Sequence, residues 1–427
     1  MKLWSTTLLG AFSTLLRMIS GLIISKFIAV YAGPTGLAML GQLQSFVAGI
    51  NGLIANQIGQ GIVRFTAEAN KNSDYYLCKE WWSAATSLLM LSVSSSLVLC
   101  ILFSHSISSW LFDSEVYYWV ILIVAFSLPL NALNTALLSA LNGLGLNVKN
   151  ITAGMVSVIL SGLLAVFLLY QWGFKGGLIS IAINNGIAAF VVLFFVVREP
   201  WFKFKLWFSY VDKEKRVQLS KYLFVGIIGA MTGPTALIVV RNVITDLLSS
   251  DSAGLWQSVS KISDAYLSML TVGIGLYYFP KAAAINNISL LRLETIKVLK
   301  FTVPVLLLSS LFIYFFRDDV LIILFSKDFS NAHELFLGQQ IGDIFRVMAF
   351  VPGCLLLAKG YFKVNICVEV IINLSFVLLS KLFIPLFGLV GVNYAYAINY
   401  FILMVFMYSF FKWHCDNYIL NEKKNEG

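Results

Sequence analysis

Twelve apolar segments separate the thirty Lys and Arg residues of this chain, and the way those cations are distributed fixes a topology. The segments are 5–31, 37–63, 82–104, 116–140, 150–171, 177–197, 219–248, 254–280, 301–316, 335–358, 364–384 and 389–411. With both termini cytoplasmic, 21 cations fall in cytoplasmic tails and loops, 4 in periplasmic loops and 5 within segments, with Lys221 and Lys381 at span ends counted in the adjoining loops. Such an excess is the positive-inside pattern of a chain that crosses a membrane an even number of times.

Hydrophobic residues make up 59% of the chain and charged residues only 12%, too few to cover a water-soluble surface. A hydrocarbon core about 30 Å thick takes roughly 20 helical residues per crossing, so 427 residues accommodate a dozen spans and no sizeable soluble domain. The net charge of +9 follows from topology and calls for no nucleic-acid partner. Cys78, Cys100, Cys354, Cys367 and Cys415 are odd in number and far apart, which suits free thiols and neither a disulfide framework nor a metal site. The first segment carries Arg17 and Lys26 without a small-residue cleavage site, so it is expected to stay as the first span.

The most charged loop, Arg198 to Lys221, sets seven cations against Glu199, Asp212 and Glu214 and divides the chain. The expected organisation is a six-helix lobe over 1–197, a basic cytoplasmic linker over 198–218, a second six-helix lobe over 219–411 and a cytoplasmic tail over 412–427. The lobes carry landmarks of a duplication: Gly36-Leu37 and Gly254-Leu255, Gly143 and Gly360, and Gly173 to Gly176 and Gly388 to Gly391, at offsets of 218, 217 and 215. Six crossings between copies make them parallel repeats, which enclose a cavity at their interface. Amides within the spans point to a wet interior: Gln42, Gln44, Asn51, Asn56, Gln57 and Gln60 on span two, Asn131 and Asn134 on span four, Asn184 and Asn185 on span six, Asn393 and Asn399 on span twelve. Interhelical hydrogen bonding is the plainer reading of any one of them.

Arg17, Lys26, Arg241, Lys261 and Arg346 are the intramembrane cations, set against Asp264, Asp343 and Glu369. An isolated charge at the bilayer centre costs about 2.5–3.5 kcal/mol on insertion scales, so these groups face protein or water. Their balance of +2 suits an anionic substrate. Lys261 with Asp264 and Asp343 with Arg346 stand at i,i+3 on one helical face, where each pair is placed to neutralise itself. Arg17 and Arg241 have no acid within a turn, which makes them the better candidates for a substrate's anionic group; Lys26, half a turn out of phase with Arg17, snorkels to the interface. The positions equivalent to Lys261 and Asp264 in the first half are the uncharged Leu43 and Phe46. Pro129, Pro234 and Pro352 mark expected bends. The stretch Trp201 to Phe208 interleaves aromatics with Lys203 and Lys205, as an interfacial anchor does. His105, His333 and His414 are scattered, and no nucleotide-binding or zinc-ligand spacing occurs, so neither an enzyme nor a cofactor is expected.

Leu255-Trp256-Gln257-Ser258-Val259-Ser260-Lys261-Ile262-Ser263-Asp264-Ala265-Tyr266-Leu267 resembles the matching segment of the lipid III and O-antigen flippase group. So do Ala29 to Leu37, Val298-Leu299-Lys300-Phe301 with Pro304, and Gln340-Ile341-Gly342-Asp343. That group is the polysaccharide-transport branch of the multidrug/oligosaccharidyl-lipid/polysaccharide (MOP) exporter superfamily. The resemblance implies an all-α polytopic membrane protein with twelve transmembrane helices in a V-shaped pair of lobes, placed in a bacterial inner membrane. It implies transport of undecaprenyl diphosphate-linked oligosaccharide, either an O-antigen unit or lipid III, from the cytoplasmic to the periplasmic leaflet by alternating access.

On this reading Arg17, Arg241, Lys261, Arg346, Gln42, Asn51 and Gln57 form the diphosphate and glycan cavity, while Asp264, Asp343 and Glu369 couple or switch the cycle, with H⁺ or Na⁺ as candidate ions. Polymerase and chain-length proteins of the same pathway are candidate partners. A drug/cation antiporter of the superfamily would want an acidic cavity. A lipid II flippase would bring helices beyond the twelfth. A polymerase or ligase would need a large periplasmic loop, and the longest here is about 18 residues.

Overall fold

The computed structural model describes residues 3–70, 75–210, 212–285 and 287–425, with side chains described except at 3–8, 55–57, 221–226, 228–230, 362 and 417–425. Among the described residues, twelve long helices follow one another: α1 (3–32), α2 (34–69), α3 (Lys79–Leu102), α4 (Tyr118–Gly143), α5 (147–172), α6 (174–196), α7 (Lys213–Leu247), α8 (Ser250–Ala284), α9 (Ile288–Phe315), α10 (Phe336–Ala358), α11 (Phe362–Phe387) and α12 (Val390–Asn425). Among the described residues, eight continuous stretches are long and apolar enough to cross a membrane. Two of them, Leu9–Ile54 and Asn147–Val196, each hold two helices. The long helices α7 and α8, which carry Arg241, Lys261 and Asp264, complete the set. Helices overrun the apolar segments mainly at basic ends: α9 begins before Arg292, and α12 runs past Lys412.

Glycines make the sharp reversals. Gly33 (φ 60°, ψ −160°), Gly173 (φ 54°, ψ −134°) and Gly388 (φ 64°, ψ −147°) occupy a region closed to other residues, and each joins two helices with almost no loop. Pro34 then starts α2, where its missing N–H costs nothing. Ser249 caps α8 by accepting from the Ser252 N–H, and Asn287 caps α9 by accepting from the Leu290 N–H. Pro129, Pro234 and Pro352 each lie inside an uninterrupted helix.

The duplication is written in the backbone. In the α4–α5 turn, the N–H groups of Leu144, Gly145, Leu146 and Asn150 donate to the carbonyls of Ala140, Asn142, Leu141 and Leu146. In the α10–α11 turn, Lys359, Gly360, Tyr361 and Asn365 donate to Leu355, Leu357, Leu356 and Tyr361, every atom 215 positions later. Gly145 and Gly360 share positive φ angles of 75° and 79°. The structural partner of Gly360 is therefore Gly145, not Gly143, and the offset matches that of Gly173 and Gly388. Gly176 and Gly391 repeat a second constraint: a Cβ on either would lie 2.0 Å from the Leu168 carbonyl oxygen or 2.3 Å from that of Phe383.

The chain forms two compact units, one of residues 1–32 and 39–238, the other of 33–38 and 239–427. In the first, a core of Ile54, Ile58, Trp82, Val124 and Leu137 ties α2, α3 and α4 together. The 198–210 segment packs onto this unit. Trp201 is fully buried, and Trp207 stacks on Trp82 at 4.9 Å with planes 10° apart. In the second, Tyr278, Leu291, Val347 and Leu355 join α8, α9 and α10. The hydroxyls of Tyr278 and Thr295 lock α8 to α9 at 2.7 Å.

Candidate functional site

A cavity of about 510 Å³ lies within the first unit, walled by α1, α2, α4, α5 and α6. Arg17 is the only charged residue bordering it among the described residues. Around it stand the amides of Gln44, Asn51, Asn134, Asn184 and Asn185 and the hydroxyls of Ser20, Ser157, Ser161 and Ser180. Arg17 sits one turn before Gly21 on α1, and its side chain is exposed. Gly162 on α5 faces Ser20, where a Cβ would come within 2.7 Å of its hydroxyl, so a small residue keeps the two helices close. Asn51 precedes a π-helical turn, Gly52–Asn56, inside α2, a widening of the kind often found at functional sites. The Asn51 side-chain oxygen accepts from the Asn131 amide. The Asn134 side-chain oxygen is buried with no protein donor among the described residues. One guanidinium among neutral donors and acceptors can bind a phosphoryl group and hydrogen-bond to sugar hydroxyls.

The expected residues divide as follows. Arg17 and Asn51 border this cavity, whereas Gln42 is buried and reaches the Ile238 carbonyl oxygen at 3.4 Å. The Gln57 side chain lies outside the described residues. Arg241 is buried in the second unit. Its Nε donates to Gln257 Oε1 at 2.7 Å, and its guanidinium lies 5.7 Å from the Trp256 ring centre. Lys261 is half-buried on α8, and Glu369 is half-buried on α11.

Arg346 on α10 pairs with Asp264 on α8, across helices and not along its own. Arg346 Nη1 donates to Asp264 Oδ1 at 3.2 Å and to the Tyr396 hydroxyl at 3.2 Å. Tyr396 donates to Asp343 Oδ1 at 2.9 Å. The expected Asp343 to Arg346 pair is thus replaced by a relay, Asp264 to Arg346 to Tyr396 to Asp343. Asp343 is fully buried, with Ser263 Oγ 2.7 Å from both its oxygens, the Tyr266 hydroxyl on Oδ2 and Gln339 Nε2 at 3.3 Å. Asn393 in turn donates to Gln339 Oε1 at 2.9 Å.

Helix spacing explains the exchange. Gly342 and Gly338 let α12 come close to α10, since a Cβ would lie 2.2 Å from the Tyr396 ring or 2.9 Å from the Asn393 side chain. The intruding tyrosine takes the place the arginine would need beside Asp343.

Residue reading missed Ser263, Tyr266, Gln339 and Tyr396, none of them charged; Ser263, Tyr266 and Tyr396 come from other helices, and Gln339 lies one turn before Asp343 on its own helix. It also missed the serines of the first cavity. The signal that could have found those serines is their phase: Ser157 and Ser161 share one face of α5, as Asn184 and Ser180 share one face of α6.

No family model matches the chain. Lipid III flippases of Escherichia coli (strain K12) and Shigella flexneri are each 27% identical to it over 403 residues, which cover 94% of this chain and 96% of theirs. Among solved structures, an inward-facing multidrug resistance MATE family transporter of the MOP superfamily superposes with a TM-score of 0.78 at 12% identity. That match covers 96% of this chain and 98% of the transporter. An inward closed conformation of the lipid II flippase MurJ superposes with a TM-score of 0.75 at 16% identity, over 94% and 86% of the two chains. The chain is a multi-pass membrane protein with the fold of transporters of the multidrug/oligosaccharidyl-lipid/polysaccharide exporter superfamily, and it is similar to lipid III flippases along nearly its whole length.

Proposed function

We propose that the chain moves a polyprenyl diphosphate-linked oligosaccharide from the cytoplasmic to the periplasmic leaflet of a bacterial inner membrane by alternating access, with both termini cytoplasmic. The observation that carries this reading is the first unit's cavity, in which Arg17 is the one charge among amides and hydroxyls in the described residues. A diphosphate and a glycan cannot enter hydrocarbon unaided, and this lining offers a cation for the one and hydrogen bonds for the other. The prenyl chain stays in lipid. Full-length similarity to lipid III flippases supports the same cargo class. A drug/cation antiporter would want a carboxylate in the cavity, and none borders it among the described residues.

Asp264, Asp343 and Arg346 form the coupling network on this reading, with Glu369 as a further acid and H⁺ or Na⁺ as the ion. Arg241 and Lys261 serve the diphosphate in another state of the cycle. Polymerase and chain-length proteins receive the product.

The test is lipid-linked glycan accessible at the periplasmic face of depleted cells, followed separately for O-antigen units and lipid III. Depletion is expected to trap the cargo inside, the wild-type chain to release it, Arg17→Lys to retain part of the export and Arg17→Gln to lose it. Normal export by Arg17→Gln at matched protein level removes Arg17 from the site. Undiminished periplasmic cargo after depletion rejects the function.

A further inference from the structure

We propose that the first unit holds an anionic glycerophospholipid as a fixed component, its acyl chains in a groove bounded by α3, α4 and the 198–210 segment and its phosphate on Lys203 and Lys205. The groove measures about 710 Å³, within the roughly 300–1,000 Å³ of small-molecule sites. Its walls are Met90, Val93 and Leu97 from α3, Leu133 from α4, and Phe204 and Trp207 from the segment; only the Thr86 and Ser94 hydroxyls interrupt the apolar surface.

Two observations separate it from ordinary bilayer contact. The aromatic wall is preformed, because Trp201 and Trp207 are buried against Trp82 and Phe204 stacks on Phe208 at 4.3 Å. Lys203 and Lys205 flank Phe204, are exposed, and form no ion pair among the described residues, while the nearby acids Glu199 and Glu80 are taken by Lys149 and Lys215. Two unpaired lysines beside the groove's Phe204 offer charge complementary to a phosphate at the membrane surface.

The occupant is not the cargo's own tail. Asn134 and Leu138 of α4 border the polar cavity, whereas Leu133, Ala136 and Leu137 border the groove, so the body of α4 stands between the two.

Native mass spectrometry of the full chain tests the site with phosphatidylglycerol and phosphatidylcholine of identical acyl chains, and with a long polyprenyl phosphate. Phosphatidylglycerol is expected to survive detergent stripping that removes phosphatidylcholine. Its retention should fall at least tenfold in Lys203→Gln/Lys205→Gln and in Ser94→Trp, which fills the groove, and return in Lys203→Arg/Lys205→Arg. Equal retention of the two phospholipids, or unchanged retention in either loss variant, overturns the proposal. Preference for the polyprenyl phosphate overturns the assignment to a glycerophospholipid. Monodisperse elution and an unchanged melting temperature establish that each variant is folded. If Ser94→Trp fails this control, Ser94→Phe replaces it under the same criterion.

Discussion

Replacing Asp264 with Asn is expected to abolish export while leaving the fold nearly as stable as before. The side chain of Asp264 is 67% accessible and that of its partner Arg346 is 37% accessible, at 3.2 Å. Ion pairs this open contribute about 0.2–1 kcal/mol, because water screens the charges and two side chains must be held still. Arg346 would also keep its contact with Tyr396 in the variant and so would not be stranded.

Loss of export would then come from the charge itself, which holds one end of a relay that runs through Arg346 and Tyr396 to a fully buried carboxylate. Surface glycan at matched protein level measures transport, and unfolding of purified protein in a defined detergent measures stability. The informative second change is Arg346→Gln, since the structure gives Asp264 to Arg346. Recovery of export in Asp264→Asn/Arg346→Gln would mean that the pair only neutralises itself. A stability loss above about 2 kcal/mol in Asp264→Asn would refute the estimate from exposure.

Asp343 should behave oppositely: Asp343→Ala strands the donors of Ser263, Tyr266, Gln339 and Tyr396 in a buried site and is expected to cost about 1–3 kcal/mol for each donor left without an acceptor, read by the same unfolding assay. Tyr396→Phe removes one of those donors and should cost about 1.5–3 kcal/mol if its acceptor is charged, against about 0.6 for an average hydrogen bond between membrane helices. Gly391→Ala should destabilise by about 1–3 kcal/mol or more, because its Cβ would strike the Phe383 carbonyl, whereas Gly275→Ala meets nothing within 4 Å and should be neutral or slightly stabilising. Reporter fusions after Gly427 and within Lys203 to Trp207 should report a cytoplasmic location, and a periplasmic signal from either would reject the topology.

The helices were legible because a membrane demands long apolar stretches, and the reversals because only glycine takes the angles found at Gly33, Gly173 and Gly388. The amides read as a polar interior do border a polar cavity, at Gln44, Asn51, Asn134, Asn184 and Asn185, but this cavity lies within the first unit, where an interface between repeats was expected. Charge pairing was not legible. Spacing of i,i+3 says which side chains can meet along one helix, but the choice of partner for Arg346 depended on Tyr396, fifty positions away on a helix brought close by Gly338 and Gly342. Periodicity also cannot tell that the 198–210 segment, read as a bridge, lays Trp201 and Trp207 against Trp82.

The repeated turns bear on how such a scaffold changes over evolutionary time. What the α4–α5 and α10–α11 turns share is a set of main-chain hydrogen bonds and one left-handed glycine, and these ask almost nothing of the neighbouring side chains. Selection on the frame therefore falls on few codons, which leaves the rest free to drift. One half here lines its interior with neutral amides and the other assembles a carboxylate and guanidinium network, on turns that correspond atom for atom. A transporter that shares 12% of its residues with this chain still superposes with a TM-score of 0.78.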